Sequence, residues 1–257
     1  MDGIRDKVAF VTGAAAGIGA AVAHALARNG ASVAAVDLDS GGLHTMTATL
    51  PPGRHASYLA DVRDPAAVQA AVDSAETEVG PIGILVNVAG VLRTGPALDI
   101  SDEDWATVFA VNTTGVFHAC RAVGRRMVTR GAGCIVTVAS NAAGVPRAEM
   151  SAYAASKAAA AHFTRCLALE LAPHGIRCNV VAPGSTDTAM LRSMGIDGKA
   201  PRSAIDGSPE LYRVGIPLRK LARPEEVAEA VLFLASERAS HITMQGLYVD
   251  GGAALGV

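Results

Sequence analysis

The sequence predicts an α/β fold: one parallel sheet of six or seven strands with helices on both faces. Three observations predict it. Short β-rich apolar runs alternate with longer stretches of helical periodicity. The first such run passes through a glycine-rich turn directly into a helix. The 257 residues, 50% hydrophobic, 18% charged and only 4% aromatic, suit one core built from Ala, Val and Leu rather than from rings. No Pro/Ser-rich linker or charge block divides the chain, so residues 1–257 are read as a single domain.

Taken in order, residues 8–11 form the first strand, residues 18–28 the first helix and residues 32–36 the second strand. Residues 55–60 are a weaker strand. Residues 65–79 open on Asp64-Pro65, a helix start, and residues 84–86 form the next strand. Residues 102–130 read as one long helix, followed by a strand at 134–138, a helix at 151–171 and a strand at 177–181. Residues 224–235 and 247–249 supply the last helix and strand. The segment 188–215 mixes Met, Gly, Pro and charges without periodicity, and a stretch that long in a compact domain predicts a mobile lid over a site.

Several function classes are excluded early. Lys and Arg number 22 against 24 Asp and Glu, a net −2, so the electrostatic footprint of a nucleic-acid partner is missing. Residues 8–27 carry no Asp, Glu, Lys or Arg, yet Gly13, Gly17 and Gly19 interrupt them and no basic segment of a signal peptide precedes them; no membrane partner is expected. Cys120, Cys134, Cys166 and Cys178 include no C-x-x-C pair and no zinc-ligand spacing. They read as buried thiols of a cytoplasmic protein. The seven histidines form no metal-spaced cluster and read as structural or surface residues; no metal is expected.

The turn after the first strand reads Thr12-Gly13-Ala14-Ala15-Ala16-Gly17-Ile18-Gly19. Glycines let the backbone approach a pyrophosphate, and the helix N-terminus beyond supplies free N–H groups and partial positive charge. Asp37 follows Gly19 by 18 residues, close to the offset at which a carboxylate reaches the adenosine ribose hydroxyls. A carboxylate there repels a 2′-phosphate, and Ala16 offers it no cation, so NAD is expected rather than NADP.

A second constellation lies downstream. In Tyr153-Ala154-Ala155-Ser156-Lys157, helical spacing puts the phenol and the ammonium side by side, where the cation favours the phenolate. Ser140 follows the strand at 134–138, so its hydroxyl lies at a strand's C-terminal end, where α/β sites form.

These residues resemble the short-chain dehydrogenase/reductase family over nearly the full chain. The resemblance rests on the T-G-x-x-x-G-I-G turn, Asp61-Val62, Asn87-Val88-Ala89-Gly90, Asn112, Ser140, Tyr153, Lys157 and Pro183-Gly184. It implies a Rossmann-like doubly wound sheet of strand order 3-2-1-4-5-6-7, usually in a homotetramer. It implies Asn112, Ser140, Tyr153 and Lys157 as the catalytic set. It also implies a cofactor site at Gly13, Ala16, Gly17, Ile18, Gly19, Asp37, Leu38, Asp61, Val62, Asn87, Ala89, Gly90, Tyr153, Lys157, Pro183, Gly184, Thr186 and Thr188. Val88 stands where the family often has Asn or Ala, at a position with no expected chemistry.

A narrower likeness extends into loops expected to touch substrate, including residues 90–93, 136–143, 146–147, 150–153 and 239–243. It points to family members that oxidise a dihydroxycyclohexadiene carboxylate for catechol siderophores, so the small-molecule partner is expected to be a cyclic hydroxy acid. A carboxylate needs a cation, and Arg93 and Arg147 each lie in a loop after a strand's C-terminal end. Arg93, Ser140, Arg147, Met150 and Tyr153 are the candidate substrate contacts. Other cyclic alcohols, sugars, a dihydro-hydroxyanthranilate and a 3-oxoacyl carrier remain alternatives, Asp37 weighing against the last. So does a non-catalytic NAD sensor, which has no need of Ser140, Tyr153 and Lys157 together.

Overall fold

In the computed structural model, which describes residues 1–195 and 197–256, the chain alternates strand and helix from β1 (Val8–Thr12) onward. There follow α1 (Gly17–Arg28), β2 (Ser32–Asp37), α2 (Ser40–Ala48), β3 (Ala56–Leu59), α3 (Pro65–Glu78), β4 (Ile82–Asn87) and α4 (Asp102–Phe109). Then come α5 (Gly115–Arg130), β5 (Gly133–Val138), α6 (Ser151–Leu171), β6 (Ile176–Pro183), α7 (Ala189–Arg192) and α8 (Ser203–Asp206). A two-stranded hairpin of β7 (Gly207–Ser208) and β8 (Arg213–Val214) precedes α9 (Pro224–Ala235) and β9 (Gly246–Val249).

Seven parallel strands form the main sheet in the order β3-β2-β1-β4-β5-β6-β9. This is the expected 3-2-1-4-5-6-7 order, because the β7–β8 hairpin stands outside the sheet. Strand alternation divides the core in two. Ala9, Val11, Val33, Ala35, Ile84 and Val86 face α1 and α9, while Val8, Phe10, Ala34, Val36, Ile82 and Leu85 face α3, α5 and α6. Both faces of the central strands are therefore dry, and only the strand ends meet solvent.

Helix starts follow local chemistry. The Asp64 carboxylate accepts from Ala66 N at 2.8 Å ahead of Pro65, and Ser101 Oγ accepts from Asp104 N at 3.0 Å. Asp39 caps α2 in the same way, accepting from Gly42 N at 2.9 Å. This helix was not expected, because its Gly41-Gly42 pair and weak periodicity hide it.

Two further expectations are corrected. Residues 102–130 are not one helix: α4 and α5 are joined by a π-helical turn, Ala110–Thr114. The segment 188–215, expected as a lid, holds α7, α8 and the small hairpin among its described residues. Cys166 is exposed on α6, because it falls on the face opposite Ala160, Ala161, Thr164 and Ala168; Cys120, Cys134 and Cys178 are buried.

Candidate active site

Parallel strands all end on one edge of the sheet, and the loops leaving β1, β4, β5 and β6 converge there. The first is the glycine-rich turn. Gly13 has φ +68°, and a Cβ on it would lie 2.7 Å from both Cα and N of Ala89. A Cβ on Gly19 would run into the carbonyl of Gly13. The turn is thus wedged against the β4 loop, which Thr12 also holds: its Oγ accepts from Val88 N at 3.1 Å and Ala89 N at 3.3 Å.

These loops enclose two adjoining cavities. The larger, about 330 Å³, is walled by Gly13, Ala16, Gly17, Ile18, Gly19, Asp37, Leu38, Asp61, Val62, Ala89, Gly90 and Thr188, with Ala60, Val91 and Val111. The smaller, about 140 Å³, is walled by Ser140, Asn141, Arg147, Met150, Tyr153, Lys157, Pro183, Gly184, Thr186, Met190 and Arg213, among others. Ile18, Val88, Gly90, Thr188 and Met190 line both, so the two form one continuous groove.

Asp37 stands at one end. Its carboxylate accepts from Ala15 N at 3.0 Å, Leu38 N at 2.7 Å and Asp39 N at 3.1 Å, which fixes a negative charge at the rim. Asp61, also on the rim, is ion-paired with Arg63 at 2.6 Å, and that guanidinium holds its carboxyl below the usual range.

Tyr153, Lys157 and Ser140 stand at the other end. Lys157 is buried on α6, and its Nζ donates to Val138 O at 3.0 Å. Burial lowers its pKa to about 8, because the ammonium has lost most of its water. Nζ lies 5.9 Å from the centre of the Tyr153 ring, one helical turn away. Enclosure raises the Tyr153 pKa, and the Ser140 hydroxyl pulls it back down. Ser140 Oγ in turn accepts from Ala142 N at 3.2 Å, which anchors the hydroxyl on the turn after β5.

Asn112 is fully buried behind this end, in the π-helical turn. Its amide donates to Val91 O at 2.9 Å and to Ser156 Oγ at 3.0 Å, while its Oδ1 accepts from Val91 N at 2.8 Å. Ser156 Oγ donates onward to Tyr153 O at 2.8 Å. Ser156 was not singled out in the sequence, where its spacing from Tyr153 carries no chemical signal.

Two expected site residues lie elsewhere. Asn87 does not reach the groove wall: side-chain alternation along β4 turns it beneath the loop, where its amide donates to Cys120 Sγ and Thr137 Oγ1, both at 3.3 Å. Arg93 is drawn out of the cavity by the acidic first turn of α4 and pairs with Asp104 at 2.9 Å, while its neighbour Leu92 takes the wall. Conversely, Arg213, Asn141 and Ser185 line the smaller cavity although sequence spacing did not mark them. Among the described residues no group of three or more His, Cys, Asp or Glu side chains is arranged to hold a metal ion.

Comparison with known proteins agrees with this architecture. A family model described as enoyl-(acyl carrier protein) reductase matches residues 13–254. The chain is 56% identical over 257 residues to a 2,3-dihydro-2,3-dihydroxybenzoate dehydrogenase of Bacillus subtilis (strain 168), covering 99% of this chain and 98% of that protein. It is 44% identical over 250 residues to the dehydrogenase of the same name from Escherichia coli (strain K12), covering 97% and 98%. A 3-ketoacyl-(acyl-carrier-protein) reductase from Brucella melitensis, solved with NADH, superposes with a TM-score of 0.88 at 33% identity over 98% of this chain and 99% of that one. The chain belongs to the short-chain dehydrogenase/reductase family.

Proposed function

We propose that this chain is an NAD-dependent dehydrogenase that oxidises the 3-hydroxyl of 2,3-dihydro-2,3-dihydroxybenzoate, giving 2,3-dihydroxybenzoate. One observation carries the reading: Tyr153 and Ser140 share a small cavity with Arg147, so a proton acceptor and a cation for a carboxylate stand within one substrate's reach. The names of the two most identical relatives above support the same substrate.

The groove fits the cofactor. A Cβ would fill the cradle at Gly13, the N-terminus of α1 faces the larger cavity, and the Asp37 carboxylate at its rim suits ribose hydroxyls and repels a 2′-phosphate. Gly13, Gly17, Gly19, Asp37, Asp61, Val62, Ala89, Gly90 and Thr188 are the residues proposed to hold it. When bound, NAD supplies the two-electron acceptor for the carbon that bears the 3-hydroxyl.

The chain's own residues handle the proton. Tyr153 accepts it from the 3-hydroxyl, and Ser140 hydrogen-bonds the same oxygen as its carbonyl character develops. Lys157 favours the phenolate by its charge one turn away. Asn112 positions the unit by tying Ser156 of α6 to the backbone of Val91. The cyclic ketone formed then enolises to the aromatic catechol acid, which makes the oxidation effectively one-way.

The proposal includes a homotetramer in the cytoplasm. The exposed Trp105, Phe117 and Leu169 offer apolar surface for subunit contact, and three free thiols are buried. Among the described residues no helix is long and apolar enough to cross a membrane.

Absorbance at 340 nm tests the activity, with purified protein, 2,3-dihydro-2,3-dihydroxybenzoate and either NAD or NADP. NADH formation together with 2,3-dihydroxybenzoate, much slower with NADP, is the expected result. No turnover of this substrate with either cofactor overturns the reading.

A further inference from the structure

The segment 188–215 carries three arginines, and the structure treats them differently. Arg192 pairs with Asp187 at 2.8 Å and Arg202 with Asp206 at 2.9 Å, both on the surface. Arg213 has no acidic partner among the described residues. It is half-buried, lines the same small cavity as Tyr153, and donates from Nη2 to Ser185 Oγ at 3.0 Å.

Its placement is built into the backbone. Tyr212, directly before it, sits at φ +48°, and Gly207 across the hairpin sits at φ +86°. A Cβ on Gly207 would lie 2.6 Å from Arg213 O and 2.7 Å from Gly215 N, so only glycine allows the β7–β8 hairpin to close at this spacing. The pairing of Ser208 with Arg213 then fixes which residue is presented to the cavity.

Arg147 stands on the same cavity wall, half-buried, with Nη2 donating to Ala253 O at 3.2 Å. It too lacks an ion pair within 4.0 Å among the described residues. Asp250 is the nearby carboxylate: it accepts from Asn141 Nδ2 at 3.2 Å, and its charge partly offsets Arg147. Burial pulls the Arg147 pKa down. Burial and the charge of Arg147 do the same to Arg213, and the two cations line one cavity. Two guanidiniums beside one carboxylate, with the Lys157 ammonium on the same wall, leave this cavity positively charged.

We propose that Arg147 and Arg213 form a two-sided clamp for the carboxylate of the substrate, with Arg213 the specificity-determining residue that the segment 188–215 brings to the site. A planar carboxylate suits such a pair, because guanidinium groups bind it in bidentate fashion. The inference rests on the proposed reading of this site as one that takes a cyclic hydroxy acid.

The test compares ligands that differ by the carboxylate alone. Affinities for 2,3-dihydroxybenzoate and for catechol are measured by titration calorimetry with NADH present, for wild type and for Arg147→Leu, Arg213→Leu and Arg213→Lys. Inorganic phosphate serves as the competing anion. Wild type is expected to prefer 2,3-dihydroxybenzoate, and each Leu variant to lose about 10- to 100-fold of that preference, the range of a hydrogen-bonded ion pair. Arg213→Lys, which keeps the charge and tests folding, is expected to retain an intermediate preference. A preference unchanged in Arg213→Leu, or lost equally for catechol, overturns the clamp, as does tighter wild-type binding of phosphate than of the carboxylate. Absent turnover with an intact, arginine-dependent preference overturns the proposed activity and leaves the clamp standing; turnover without such a preference does the reverse.

Discussion

Asn112 closes both hydrogen-bonding ends of its amide on a single backbone residue, Val91, accepting from its N at 2.8 Å and donating to its O at 2.9 Å. The π-helical turn makes this possible. It inserts one residue into the run from α4 to α5 and turns Asn112 inward, between the β4 loop and α6. The side chain is completely buried, so each group it leaves unpaired carries the full desolvation cost.

Asn112→Ala is accordingly expected to destabilise the protein by about 2–4 kcal/mol, the cost of buried backbone groups and the Ser156 hydroxyl losing their partner. Urea unfolding measures it. Asn112→Asp, which keeps the acceptor and loses the donor, is expected to be destabilised as well and to lower kcat more than it raises KM, because Tyr153 is held through Ser156.

Tyr153→Phe is expected to lower kcat by about 1,000-fold or more while NAD binding changes little, since the phenol is the proposed proton acceptor and the ring's packing is kept. Single-turnover absorbance and a separate NAD titration read the two effects independently.

Replacing Asp37 with Ser is expected to shift the ratio of kcat/KM for NAD over NADP toward NADP by about 10-fold or more, because a fixed negative charge leaves the rim of the larger cavity. Steady-state kinetics with both cofactors gives the ratio directly.

Stability should depend on Lys157 with a sign that follows from its depressed pKa. Between pH 8 and 10.5 the unfolded chain holds a proton that the folded chain has released, so stability rises through that window, by about 3 kcal/mol in all. The buried thiols of Cys120 and Cys134 act oppositely. Burial raises them from 9.0 to about 12 and about 11, so the unfolded chain loses these protons first and stability falls above pH 9. Wild type should therefore be most stable near pH 9, and Lys157→Met should lack the rise from pH 8 to 9. Urea midpoints at half-unit steps of pH show whether that rise is present.

Arg93→Leu is expected to change KM for the carboxylated substrate by less than about twofold, because Arg93 is engaged with Asp104 on the surface and an exposed pair of this kind contributes little. A larger rise would return Arg93 to the substrate site.

Local patterning determined most of the fold and half of the site. The strand and helix alternation, the glycine turn, Asp37 and the Tyr153–Lys157 pair all follow from periodicity or fixed spacing, which neighbouring residues set among themselves, whereas the sheet order was implied by the family resemblance alone. Only the tertiary structure decided the rest. It split 102–130 at a π turn because Asn112 had to reach Val91, a partner 21 residues away. It turned Asn87 beneath the groove and gave Arg93 to Asp104. It brought Arg213 to the cavity that Arg147 lines, across 66 positions of chain with no periodic relation between them. Spacing along a helix or strand fixes direction only over a few residues; which distant cations share a cavity depends on how loops from separate strands meet, and that is settled by packing.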